Sequence, residues 1–581
     1  MTNSNLQKLG EYLRPYWRQV ALGVFALLLV NAIGIYIPLL IRDSIDKLQD
    51  ALSFSQLSIY VIGIMALATV MWLIRIYSRV VLFGVGRQIE FDLKKRIFEH
   101  ILTLEPGYFA TQSSGDLISR ATNDVDNIRR LVGFALLSIA NTVFAYGLTL
   151  PVMLAIHLPL SLIAISVYPL MVIAVVQFSK KIGFFQMKVQ QKLSELSELV
   201  QEDVSGIALI KIYAQEEHER QAFTKRNQEL LKNNLDLAKT RNLLFPVIEA
   251  ISYVSLILLL SSGVKIISTG AITIGDFIAL IIFVERLIFP TALLGFTITS
   301  YQSGRVSIQR IEEILQIKPK IVDDPEAIYL PLDEVKGEIE AVNFTYTYPD
   351  SNNTVLDKLN FKIKPGETLA IVGSVGAGKS TLANAIPRLL EIQSGQLFLD
   401  GHDLTEVRLE DLRKAIAYVP QETFLFSTTI KDNIRYGKPW MDEEEVIYAA
   451  KQAQIHSEIL NFPQQYETIV GERGITLSGG QRQRTSLARA LLVDAPILIL
   501  DDSLSSVDNQ TATQILENFS NNRGKTVIFI THQLSAAMNA DRILVMDHGK
   551  IVQMGTHREL LKTQGLYQNL WQQNQLEAIL Q

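Results

Sequence analysis

The stretch Thr368-Leu369-Ala370-Ile371-Val372 runs into Gly373-Ser374-Val375-Gly376-Ala377-Gly378-Lys379-Ser380-Thr381, and this passage decides how the second half of the 581-residue chain folds. Five apolar residues read as a buried strand. The glycine-rich loop follows at once, and a helix begins near Thr381. That strand–loop–helix setting is what makes such a loop a phosphate binder. Its glycines let backbone N–H groups wrap an anion, and the helix N-terminus adds a favourable dipole. Lys379 can reach the β- and γ-phosphates of a nucleotide, and the Ser380 hydroxyl can ligate Mg²⁺. Residues 373–381 are therefore the first candidates for binding ATP with Mg²⁺.

Two further motifs lie downstream. Ile497-Leu498-Ile499-Leu500-Asp501-Asp502 is an apolar strand that ends in two carboxylates. Asp501 suits the role of holding Mg²⁺ through water, and Asp502 that of a general base on an attacking water. Between loop and strand, Leu477-Ser478-Gly479-Gly480-Gln481 opens an amphipathic helix that continues with Arg482, Gln483 and Arg484. A serine and two glycines at a helix start form a second anion site.

In this order and spacing the three motifs resemble the nucleotide-binding domain of ATP-binding cassette (ABC) transporters. The resemblance covers essentially the whole chain and, with the N-terminal half, is of the exporter type. It implies further roles. Tyr346, in Phe344-Thr345-Tyr346, matches the aromatic that stacks on adenine, with Tyr348 as a substitute. Gln421, in Tyr418-Val419-Pro420-Gln421, matches the glutamine that senses Mg²⁺ and touches the membrane half. Gly471-Glu472-Arg473-Gly474 resembles the short exporter loop before the signature. Asp508, in Ser505-Ser506-Val507-Asp508, matches the loop that crosses between two nucleotide domains. His532, in Ile530-Thr531-His532, matches the switch histidine on the γ-phosphate. Taken alone, Tyr346 or His532 would read as a partly buried structural residue. Their register with three strong motifs reverses that.

One position departs from the family pattern. The residue after the first carboxylate is usually glutamate, and here it is Asp502. Aspartate keeps the charge but shortens the arm by one methylene. A general base must lie within hydrogen-bond reach of its water, and losing that reach costs on the order of 10²–10⁴-fold in rate. In the family, ATP is sandwiched between the phosphate loop of one subunit and the LSGGQ of the other. The resemblance thus implies a slow or degenerate site from this chain's loop and Asp502, and an intact signature completing the partner's site. A heterodimer with a second half-transporter is the favoured arrangement. A homodimer in which Asp502 works with the help of His532 is the rival.

The first half has a different composition. Apolar runs sufficient for a bilayer-spanning helix, about 20 residues, lie near 20–41, 57–83, 131–155, 158–178, 243–267 and 274–297. The third and fourth are separated only by a turn at His157, Leu158 and Pro159. Basic residues crowd the connections after the second and fourth runs, among them Arg87, Lys94, Lys95, Arg96, Lys180, Lys181, Lys211 and Arg220. By the positive-inside rule the N-terminus, these long connections and the C-terminal half face the cytoplasm. Helical spacing through 86–130 and 180–240 predicts that the membrane helices continue into the cytoplasm. They would turn near 108–114 and 212–219, the natural contacts for the soluble domain. Arg75 and Arg79 interrupt the second run. Glu249, Glu285 and Arg286 lie inside the fifth and sixth, where such groups line water-filled cavities or pair across helices. None of these is nominated as a substrate ligand.

Composition agrees with this division. Hydrophobic residues make up 48% of the chain and charged residues only 19%, against about 25% charged in a soluble protein. A net charge of −5 argues against a nucleic-acid partner. The absence of cysteine excludes disulfides, thiolate metal sites and a cysteine nucleophile. No signal peptide precedes the first run. A peptide exporter with a built-in protease is disfavoured, because no extra domain precedes that run and no cysteine exists.

The expected fold is a membrane all-α, six-helix domain (1–320), a linker (321–335) and an α/β P-loop nucleotide-binding domain (336–581). The expected protein is a multi-pass component of the cell (inner or plasma) membrane, its nucleotide-binding domain cytoplasmic. It hydrolyses ATP to export a hydrophobic or amphipathic small substrate (drug-like compound, lipid or peptide) by alternating access. An exporter-fold importer or a lipid flippase is the alternative. Asp502, His532 and Gln421 are the catalytic candidates. Ser380, Gln421 and Asp501 are the Mg²⁺ candidates.

Overall fold

The computed structural model describes residues 2–48, 54–349, 351, 353–504, 511, 514–515 and 524–580. The chain folds as two compact units, one of Met1–Thr103 with Gln112–Lys318 and one of Leu104–Thr111 with Pro319–Gln581.

In the first unit, among the described residues, six helices are long and apolar enough to cross a membrane: α1 (Gln7–Leu48), α2 (Ser55–Ile101), α3 (Ser114–Ile156), α4 (Leu158–Ser205), α5 (Glu216–Ser268) and α6 (Ile274–Leu315). Each exceeds the length of a bilayer span, up to 53 residues, as the helical spacing beyond the apolar runs predicts. His157 makes the tight turn between α3 and α4. Its backbone is extended, its Nδ1 accepts the Leu160 N–H at 3.2 Å, and Pro159 fits the first helical turn, where its missing N–H costs nothing. The next helix breaks at Gly206, ahead of the expected turn, while the turn itself falls inside 212–219. A short helix, Ile207–Ile212, follows Gly206, and the chain turns at Ala214, whose φ is +51°. α5 therefore starts at Glu216, in the middle of the expected turn, with three glutamates favouring its positive N-terminal end.

Hydrophobic contrast does not hold helices together in lipid, so small residues and interhelical hydrogen bonds carry more of the packing. The Ser78 hydroxyl donates to Gly23 O at 2.8 Å and that of Ser255 to Ala164 O at 2.8 Å. Tyr168 donates to Val284 O at 2.8 Å, and Thr297 to Ser138 at 2.8 Å. Met153, Leu160, Met171, Leu259, Phe283 and Leu287 form one buried cluster, and Val85, Ile89, Ile97, Ile128 and Ile311 another.

The second unit holds, among the described residues, a four-stranded sheet in the order β2-β1-β4-β5 and a six-stranded sheet in the order β10-β9-β3-β8-β7-β6. The strands are β1 (Ile339–Thr347), β2 (Thr354–Ile363), β3 (Thr368–Gly373), β4 (Leu397–Leu399), β5 (His402–Asp403), β6 (Ile416–Val419), β7 (Ile497–Asp501), β8 (Thr526–Ile530), β9 (Arg542–Asp547) and β10 (Lys550–Gly555). Strands β6, β7, β8, β3 and β9 are parallel. β7 and β8 are buried throughout, which explains the apolar run that each carries, 497–500 and 527–530. The segment 321–335 is tied to this unit. Ile328 bridges Val407, and Leu330 is buried.

Candidate functional site

Parallel strands put their carboxyl ends on one edge of a sheet, where α/β proteins bind ligands. Here four adjacent ends converge. The loop 373–378 begins at the last residue of β3, His532 follows β8, Asp501 ends β7 with Asp502 just after it, and Gln421 follows β6. Residues far apart in sequence thus reach one another because β6, β7, β8 and β3 are successive neighbours.

The phosphate loop needs its glycines for stated reasons. Gly373 has φ +147°, and a Cβ there would lie 1.9 Å from Met546 O. Gly378 has φ +90° and precedes the helix α7 (Lys379–Ala385); its Cβ would meet Leu356 at 2.6 Å. Lys379 is buried and folds back over the loop, donating to Gly373 O at 3.0 Å and Ser374 O at 2.8 Å. Burial pulls its ammonium pKa down, against the opposing charges of Asp502 and Asp501. Ser374 donates to Asp547 at 2.5 Å, which fastens the loop to β9. Val375 stands outward at 90% exposure.

Asp501 is buried and accepts from Ser380 Oγ at 3.0 Å, with Tyr418 Oη 3.5 Å away. Tyr418 gives its hydroxyl proton to Asn384 Oδ1 at 2.9 Å. Its position in the Tyr418-Val419-Pro420-Gln421 stretch was the only sign of this role in the sequence. Asp502 has φ +47°, an uncommon conformation for a non-glycine residue. It accepts hydrogen bonds from the Gln421 side chain and the His532 backbone, and it feels the charges of His532 and Lys379. Burial is the leading influence on both carboxyls and holds each above the ordinary aspartate range.

The helix α8 (Gly479–Val493) begins at Ser478 with a reciprocal cap. Ser478 accepts from Gln481 N, while Gln481 Oε1 accepts from Ser478 N at 2.9 Å. Leu477 is buried, and Ser478, Gly479 and Gly480 are partly or fully exposed. Glu458 braces the start of the helix, accepting from Gln481 Nε2 at 2.9 Å and pairing with Arg484 at 2.6 Å. Glu458 carries no motif, so sequence reasoning had no signal for it. In Gly471-Glu472-Arg473-Gly474, three residues, Gly471, Arg473 and Gly474, take positive φ.

The two tyrosines separate. Tyr346 is 7% exposed and belongs to a buried cluster with Phe344 and Leu356. Tyr348 is 39% exposed, sits edge-on to Tyr346 at 5.1 Å and hydrogen-bonds the Thr381 hydroxyl at 3.2 Å. Asp508, with Ser505, Ser506 and Val507, lies outside the described residues.

In the membrane unit, Glu249 and Glu285 line one cavity of about 320 Å³ between α5 and α6. Arg75, Arg79 and Arg286 line another of about 360 Å³ among α1, α2, α3 and α6.

Comparison with known proteins agrees with both halves. Residues 20–291 match the family described as ABC transporter transmembrane region, and residues 356–505 the family described as ABC transporter. A probable multidrug resistance ABC transporter ATP-binding/permease protein of Bacillus subtilis is 33% identical over 99% of this chain and 98% of its own. An ATP-dependent lipid A-core flippase of Desulfotalea psychrophila is 35% identical over 98% of this chain and all of its own. The structure of a bacterial Atm1-family ABC exporter with ATP bound superposes with a TM-score of 0.81 at 25% identity, covering 96% of this chain and 99% of that one.

Proposed function

This chain belongs to the ABC transporter family, a membrane protein that couples ATP hydrolysis to export, and from that premise we propose that it moves a hydrophobic or amphipathic compound by alternating access as half of a dimer in the cell membrane. The observation that carries the reading is the convergence of Lys379, Gln421, Asp502 and His532 at four neighbouring strand ends, in a chain that also bears six membrane-length helices. The nucleotide-binding unit would lie in the cytoplasm, where ATP is.

In the proposed reaction the loop N–H groups and Lys379 hold the β- and γ-phosphates. Lys379 exchanges its two carbonyl acceptors for phosphate oxygens. Asp502 takes the proton of a water that attacks the γ-phosphorus, while the bond to the bridging oxygen of ADP breaks. Gln421 and the His532 amide hold Asp502 in place for this, and the His532 side chain orients the γ-phosphate. Ser380, Asp501 and Gln421 offer a hydroxyl, a carboxylate and an amide oxygen, a hard-oxygen set that fits Mg²⁺. When bound, the ion would neutralise charge developing on the phosphates. The exposure of Tyr348 beside the loop favours it over the buried Tyr346 as the adenine platform.

The second subunit is proposed to be a different half-transporter that supplies a glutamate where this chain has Asp502. The hydrogen bonds that already hold Asp502 favour the second reading, a homodimer with a working aspartate. Purified alone in lipid, the chain should bind ATP and turn it over slowly. Brisk turnover by this chain, abolished by Lys379→Ala, would establish the homodimer instead. ATP-driven flux in proteoliposomes tests the export reading itself, and binding and turnover of ATP with no flux of any amphiphile would refute it.

A further inference from the structure

The two membrane cavities differ in sign, and the basic one is built in detail. Arg286 of α6 lies against α1. Its Nη2 donates to Asn31 O at 3.0 Å and approaches Asn31 Oδ1 at 3.4 Å. Only glycine at position 34 permits this, because a Cβ there would lie 2.0 Å from Arg286 Nη1. Asn31 is itself buried, and its Nδ2 donates to Leu27 O at 2.9 Å and to Asn141 Oδ1 at 3.1 Å. Those bonds turn its oxygen toward Arg286. Arg75 and Arg79 of α2 line the same space, near enough for like charges to repel. Among the described residues, no aspartate or glutamate lines it. The remaining wall is largely apolar, with Leu27, Val30, Ile282 and Phe289 among its members.

Charges at membrane depth are costly and normally find an opposite partner. A guanidinium held by neutral oxygens keeps most of its five donors and its whole charge, and its planar fork matches oxyanions. We propose that this cavity is the subsite for the anionic head of the transported compound, a phosphate- or carboxylate-type oxyanion carried on an apolar tail. Arg286 is the fixed anchor, Asn31 and Gly34 position it, and Arg75 and Arg79 complete the clamp. The inference rests on the export reading and narrows its substrate to anionic amphiphiles.

The test is equilibrium binding to the full chain in nanodiscs of neutral lipid, without nucleotide. The probes are a fluorescent-tailed alkyl phosphate, its trimethylammonium twin and inorganic phosphate. The alkyl phosphate should bind more tightly than either control. Arg286→Gln and Arg75→Gln should each weaken it at least about tenfold, the effect of losing one charge-assisted hydrogen bond, and Arg286→Lys should retain part of the affinity. Arg75 is exposed in the protomer, so its variant keeps the test valid if Arg286→Gln fails to fold. Equal binding of the ammonium twin, equal binding of inorganic phosphate, or unchanged affinity in both glutamine variants would overturn the proposal. The assay needs neither ATP nor flux, so its failure is distinguishable from failure of the export reading.

Discussion

The Ser380 hydroxyl donates to Asp501 Oδ1 at 3.0 Å, joining the first turn of α7 to the end of β7. This bond links the phosphate loop to the carboxylate strand, although another strand, β8, separates β3 from β7. Ser380→Ala should keep the fold and lose the Mg²⁺ dependence of ATP affinity. ATP binding measured with and without Mg²⁺ checks this. A Mg²⁺ effect equal to that of wild type would remove Ser380 from the ion's site.

Lys379 is the cation folded over the loop. Lys379→Ala should lower ATP hydrolysis by about 10²–10³-fold, the usual loss when one preorganised donor to a developing charge is removed. Steady-state ATPase activity of the reconstituted protein reads it directly.

Asp502 tests whether reach limits the chemistry. Asp502→Glu should raise turnover by tenfold or more, and Asp502→Asn should lower the residual rate by about 10²-fold, within the range of general-base catalysis. If the Glu variant were no faster than wild type, the shortened arm would not be the limitation.

The raised carboxyls make a pH prediction of definite sign. Asp502 must be ionised to accept a proton, and burial holds its pKa above the ordinary range. The acid limb of the hydrolysis profile should therefore fall above the ordinary aspartate value of about 4. Stability runs the other way. The folded state holds these protons longer than the unfolded chain, so this contribution is fully present at low pH. It is lost as pH rises through the unfolded and then the folded pKa. In the nucleotide-free protein, Asp502→Asn should raise Tm by a few degrees at neutral pH, with the gain shrinking toward pH 4. A constant difference across that range would show that the carboxyl titrates normally.

The tyrosines should respond to substitution in different assays. Stacking of a base on an aromatic ring is worth about 1–3 kcal/mol, so Tyr348→Ala should weaken ATP by about fivefold or more, and Tyr348→Phe should restore most of it. Tyr346→Ala should mainly lower Tm, since the ring is part of the core. Loss of ATP affinity from Tyr346→Ala with an unchanged Tm would assign the platform to Tyr346.

What the sequence determined by itself was whatever is encoded locally. Six apolar runs marked the spans because a bilayer demands length and apolarity in one stretch. The loop 373–381 announced a phosphate site because its chemistry is backbone conformation, written in glycines. The buried strand β7 was legible because both its faces exclude water. Tertiary structure decided what depends on neighbours across the sheet or between helices. Strand order brought Gln421 and His532 to Asp502, and no periodicity encodes strand order. Burial separated Tyr346, inside β1, from Tyr348, just past its end, because only the packed fold determines which ring meets the core. Consecutive residues Glu285 and Arg286 entered different cavities because adjacent helical positions diverge around the axis, and the neighbours on each side then set what each charge faces.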